Sequence, residues 1–176
     1  MTRTNEAHTL VLESLTEALL QLMEHKPLRE ISISELCQKA GVSRVSFYRN
    51  YSSMDDILIQ QLNRCTDAWW GTFSQKEPDD FFREFWSSLL GEYRKNERLI
   101  RLLYKNDLSY ILMEHIRECV CNSGTGEELD SYVRSALAGA LFGLVNEWIK
   151  RGMGSFPDNF RLTGTEQGQQ LGLVFY

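Results

Sequence analysis

Little in this sequence punctuates or staples the chain. Three prolines, Pro27, Pro78 and Pro157, stand among 176 residues, which excludes a proline-rich linker and leaves long stretches where a helix can run unbroken. Four cysteines, Cys37, Cys65, Cys119 and Cys121, lie far apart except for one C-x-C pair. They fit neither a disulfide framework nor a zinc module, and are expected to be reduced thiols filling small core spaces. No run approaches the eighteen or so uninterrupted apolar residues of a membrane span. The opening MTRTNEAHTL also lacks the basic-then-apolar build of a secretory signal. The cytoplasm is therefore the expected location, with no membrane partner.

Catalytic signatures are equally sparse. There is no Gly-rich phosphate loop, no H-E-x-x-H and no nucleophile elbow. The paired carboxylates Asp79-Asp80 and Glu127-Glu128 fall at helix starts, where they suit the macrodipole. Only His115 and Cys119, one helical turn apart, could begin a metal or redox site. The expectation is a protein that is not an enzyme and has no catalytic residues, no metal and no cofactor.

Charge is scarce in one sign at one place. The whole chain is acidic, with a formal net charge of −5 and a pI near 5.3, so any contact with phosphate must come from a local patch. Between Glu35 and Asp55 no carboxylate occurs, while Lys39, Arg44 and Arg49 are all basic. That window is cationic on an anionic molecule.

Apolar residues recur at three- and four-residue spacing almost throughout, which predicts an all-α fold. Val11, Leu15, Ala18, Leu19, Leu22 and Met23 mark one face of a first helix that stops before Pro27. ISISEL announces a second: Ser32 caps it, Glu35 completes a capping box, and Ile31 with Leu36 are spaced as a hydrophobic staple. It ends at Gly41, where a left-handed residue costs little only for glycine. Ser43 caps a short third helix to about Arg49, and Ser53 with Asp56 caps a long fourth to about Phe73. Four further amphipathic helices follow Pro78, within residues 79–96, 97–106, 109–122 and 127–153.

Three helices in the first fifty residues, with a glycine turn between the second and third, fit a helix-turn-helix DNA-binding unit. If Val42 and Phe47 point inward, then Arg44, Val45, Ser46, Tyr48 and Arg49 cover the outer surface. Arginine suits guanine or phosphate, serine bonds to either, valine can touch a thymine methyl, and a tyrosine phenol can donate to phosphate.

The stretch SISELCQKAGVSRVSFYRNYSSMDDIL resembles the N-terminal DNA-binding domain of the TetR/AcrR family of transcriptional regulators. The capped SISEL helix, the AGVS turn, the serine and aromatic of SFY, Tyr51 and the serine-capped acidic helix start carry the likeness, over about residues 9 to 62. The resemblance implies a helix-turn-helix domain at 1–52 joined by the long fourth helix to a helical dimerisation and effector domain at 53–176. It implies a homodimer on a palindromic double-stranded DNA operator, with repression the commoner outcome. Ser32 and Ser34 correspond to positions where the family contacts phosphate. Ser43 to Ser46 and Tyr48 to Asn50 correspond to the recognition helix and its exit, beside which Lys39 adds charge.

One departure matters. Met54 stands where the family usually has a phosphate-contacting lysine, which lowers the salt dependence of DNA binding by about one unit of slope. The N-terminal arm offers Arg3 as its only basic residue. The alternative to a regulator on DNA is a helical coregulator that acts through a protein partner.

In the C-terminal half, Ala136, Gly139, Ala140 and Gly143, with Leu144 and Trp148, place small and apolar residues at spacings that let a second helix approach closely. These are the expected dimer interface. Aromatic residues gather in the middle, and Trp69, Trp70, Phe73, Phe85, Trp86 and Tyr104 are the candidate lining for a small apolar or aromatic effector. After Pro157 the chain is glycine-rich and weakly periodic, so a well-formed final helix is not expected there.

Overall fold

The computed structural model describes residues 3–75, 81–121 and 128–155. The segment after Pro157 lies outside the described residues, as do the side chains of Arg3, Phe81, Phe82 and Cys121. Every regular element among the described residues is helical: α1 (Arg3–His25), α2 (Ile33–Ala40), α3 (Arg44–Asn50), α4 (Met54–Phe73), α5 (Phe81–Lys95), α6 (Glu97–Lys105), α7 (Ser109–Cys121) and α8 (Glu128–Lys150), with one short 3-10 turn at Leu28–Glu30.

The helix ends follow local chemistry. Ser32, Ser43 and Ser53 sit in extended backbone and accept from the amides of Glu35, Ser46 and Asp56, satisfying donors that a helix start leaves open. At Ser53 the box is complete, because the Asp56 carboxylate accepts from the Ser53 amide at 2.9 Å. At Ser32 it is not: the Glu35 carboxylate turns instead to the Lys26 ammonium at 2.5 Å. That ion pair holds Glu35 below the usual carboxylate range, chiefly through the hydrogen bond from Lys26. Gly41 ends α2 with φ of +68°.

One continuous apolar core runs the length of the molecule, from Leu15, Leu19 and Met23 through Phe47, Ile57, Leu58 and Leu62 to Ile100, Leu103, Ile111, Leu112 and Val145. Helix α4 packs on α1, α5 and α7, and α7 packs along α8. The α6–α7 corner reaches back onto the N-terminal helices. Lys105 Nζ donates to the Glu24 carbonyl at 2.6 Å, and the Leu28 amide donates to Asn106 Oδ1 at 3.0 Å. The Tyr110 hydroxyl donates to Asp55 at 2.6 Å, where that carboxylate pushes the phenol up to about 12. Arg98 bridges Glu17 and Glu24 of α1, each at 2.8 Å. Exposed ion pairs of this kind each contribute less than about 1 kcal/mol, so the buried apolar seam sets how tightly α1 and α6 hold together.

A polar knot interrupts the core between α4 and α7. His115 is fully buried; its Nδ1–H donates to Asn63 Oδ1 at 2.6 Å and its Nε2 accepts from the Thr66 hydroxyl at 2.9 Å. Burial pushes the imidazole down to about 4, against a smaller opposing pull from Asp67. The unfolded chain therefore takes up this proton at higher pH than the folded one, so stability is insensitive to His115 above about pH 7 and falls as pH drops from 6.5 toward 4. Full protonation below that range costs roughly 3 kcal/mol. Urea unfolding at pH 7 and pH 5 is expected to show the loss in the wild type and a smaller one in His115→Gln.

Candidate nucleic-acid interface

Helix α3 is held by one cap and one buried ring. Ser43 caps its start, and Phe47 is fully buried, edge-on to Tyr48 at 5.2 Å and tilted against Tyr51 at 6.0 Å. With Phe47 inward, helical geometry turns the opposite face outward. Val45 is 69% exposed and Tyr48 53%, which for large apolar-bodied side chains marks a surface built for contact. Arg44 and Arg49 are exposed beside them, as is Lys39 on α2, and among the described residues none of the three basic groups forms an ion pair.

The remaining expected contact residues are placed differently. Ser32 and Ser34 are exposed at the start of α2, with Ser32 Oγ engaged as a cap. Ser43 Oγ is 3.0 Å from Ser46 Oγ and also accepts the Ser46 amide, so these two hydroxyls serve each other first. Asn50 is half-buried and donates to the Ser46 carbonyl at 2.7 Å. Its Oδ1 accepts from His8 Nε2 at 2.7 Å, a residue of α1 that local sequence patterns did not connect to this surface. Met54, at the start of α4, packs against the core.

In outline this is a helix-turn-helix with an exposed, cationic second helix. Residues 15–60 match the family model described as "Bacterial regulatory proteins, tetR family". Residues 15–60 form a tetR-family domain. The match spans α2, α3 and parts of α1 and α4, and a domain of this kind indicates a DNA-binding transcriptional regulator. Among solved structures, the crystal structure of Lin0861 from Listeria innocua superposes with a TM-score of 0.68 at 17% identity, over 90% of this chain and 87% of that one. That likeness extends the shared fold well beyond the tetR-family domain. No curated protein sequence matches the chain.

The C-terminal candidates separate on inspection. On α8, Ala136, Ala140 and Gly143 are exposed and Gly139 and Leu144 half-buried, and the same stripe continues through Tyr132, Val133 and Leu137, at 69%, 59% and 47% exposure. Trp148 departs from the expected interface, because it is buried inside this chain. Its indole N–H donates to the Gly154 carbonyl at 2.7 Å, and the Arg94 guanidinium lies 5.8 Å from the ring while donating to the Met153 and Gly154 carbonyls.

Several of the aromatic candidates pack on one another between α4 and α5. Trp69 stacks on Phe73 at 5.4 Å, Phe85 meets both rings edge-on, and Trp86 is buried. Trp70 is half exposed, and Tyr104 bonds to Asn146 of α8. Trp69 and Phe73 border an open groove of about 400 Å³ between α4 and α5, whose other described walls are Ala68, Thr72, Ser88, Glu92 and Lys95.

His115 and Cys119 are in contact, with Sγ 3.8 Å from Nδ1. Both ring nitrogens already have closer partners in Asn63 and Thr66, and burial pushes the Cys119 thiol up to about 11. A protonated thiol is a poor metal ligand and a slow redox group. No cluster of three or more metal-ligating side chains occurs among the described residues.

Proposed function

We propose that this chain is a transcriptional repressor that binds a palindromic operator as a homodimer, with residues 1–52 on DNA and residues 53–176 forming the dimerisation and effector domain. The observation that carries this reading is the exposed cationic face of α3 on an acidic protein. Arg44 and Val45 meet base edges; Ser32, Ser34, Lys39, Ser43, Ser46, Tyr48 and Arg49 meet phosphate and sugar. The missing lysine at Met54 makes affinity modest, so binding is tested by anisotropy on duplexes selected from a random pool, at two salt concentrations. A protein that enriches no sequence would favour the coregulator reading.

The exposed small and apolar stripe of α8 supports dimerisation, since a monomer would leave Tyr132, Val133 and Leu137 in water. Ala140→Glu sets a carboxylate into that contact. It is expected to give a monomer by sedimentation, with an unchanged helical spectrum and weaker operator binding. A small apolar or aromatic effector acts through α4, whose Trp69 and Phe73 border the groove.

A further inference from the structure

We propose that Asn50 is a positioning residue and not a base reader: through His8 it clasps the exit of α3 to the N-terminal turns of α1, leaving base discrimination to Arg44 and Val45. This rests on the DNA-binding reading above and narrows it.

The Asn50 carboxamide is engaged at both ends by directed hydrogen bonds. An asparagine reads adenine by presenting its carboxamide oxygen and nitrogen together, one accepting from N6 and the other donating to N7. In this chain both atoms are already held. Oδ1 accepts from His8 Nε2 and Nδ2 donates back to the Ser46 carbonyl one turn earlier, each at 2.7 Å. These two bonds fix the amide plane, so a base could be met only by the remaining N–H and lone pair in the orientation the clasp sets. Breaking the bonds on binding would sacrifice two interactions to gain two.

The clasp joins residues 42 apart in sequence. It adds to what holds α3: the cap fixes its start, Phe47 its middle, and at the exit the buried Tyr51, whose amide donates to the Phe47 carbonyl, leaves the solvent side of the last turn to the clasp. Arg49 precedes the clasped residue, so a frayed last turn would scatter the one cation at that end. Helix α1 packs directly on α3, and His8 is exposed at their junction. Its imidazole makes no other hydrogen bond or ion pair among the described residues. Its side chain is therefore available to hold Asn50 without disturbing the core.

The test compares His8→Ala, Asn50→Ala, the double variant and His8→Gln on full-length protein, using duplexes selected from a random pool by the wild type. Each alanine variant is expected to weaken binding by about fivefold, the size of one net hydrogen bond. Selected and scrambled duplexes should be weakened equally. The double variant should be no weaker than the stronger single, and His8→Gln, which keeps an N–H donor, should recover most of the loss. The preferred sequence re-selected by Asn50→Ala should match that of the wild type. A change of preference at one base pair in Asn50→Ala but not in His8→Ala would overturn the proposal, and so would full additivity of the two losses.

An arm without DNA separates this from failure of the DNA-binding reading. In the nitrogen-15 spectrum of the free protein, His8→Ala should shift the Asn50 carboxamide pair and speed its exchange, whether or not any duplex is bound. An unmoved carboxamide pair means no clasp.

Discussion

Reversing Arg44 and Arg49 to glutamate is expected to weaken duplex binding by roughly 100-fold or more at physiological salt while leaving the melting temperature within a degree or two. Each substitution removes a cation from the reading face and adds an anion, so each α3 presented to DNA changes by four charges. Each phosphate contact contributes about 0.9 to the slope of log affinity against log salt, and one good guanine contact contributes about 1 to 3 kcal/mol of base discrimination. Both guanidinium groups are exposed, and among the described residues neither has an ion-pair partner. Surface changes of that kind usually alter stability by no more than about 0.5 kcal/mol. Anisotropy at two salt concentrations reads the first effect and a thermal melt the second. Binding retained at low salt, with an unaltered slope, would remove α3 from the interface.

Much of this architecture was legible because it rests on short-range rules. Ser32, Ser43 and Ser53 announce helix starts, and the structure caps each with the amide three residues on. Gly41 announces a stop and takes the left-handed conformation. Phe47 was legible as the inward residue of α3 because Val45, Tyr48 and Arg49 around it occupy the other faces of so short a helix. What failed was decided by partners distant in the chain. Glu35 stands at the right spacing for a capping box, but Lys26, nine residues earlier, offers a full charge at 2.5 Å and outcompetes a backbone amide. Trp148 follows the small-residue spacing of α8, but α8 has two faces, and Arg94 from α5 fixes which one holds the indole. No local pattern could pair His8 with Asn50, or show that His115 spends both nitrogens on α4. Composition places many rings near one another in sequence but not which of them pack together; Trp69, Phe73 and Phe85 do, with Trp69 and Phe73 at the groove between α4 and α5.

The opposite kind of failure is expected from Phe47→Ala, which should remove operator binding by unfolding the tetR-family domain and not by altering its surface. Phe47 is fully buried on the inner face of α3, beside the rings of Tyr48 and Tyr51 and facing α1 and α2. Truncating a buried phenylalanine costs about 3 to 5 kcal/mol through lost transfer energy and the cavity left behind. Here the loss falls on a helix of seven residues, far below the length that is stable alone in water. Helix α3 exists because this ring is buried, so the reading surface dissolves with it even though no contact residue has changed. Urea unfolding should show a lower midpoint, and the domain should become sensitive to protease at the Gly41 turn, while Phe47→Leu should cost less than about 1.5 kcal/mol and keep most of the affinity. An alanine variant that melts like the wild type yet fails to bind DNA would mean that Phe47 itself faces the duplex, contrary to the burial that orients α3.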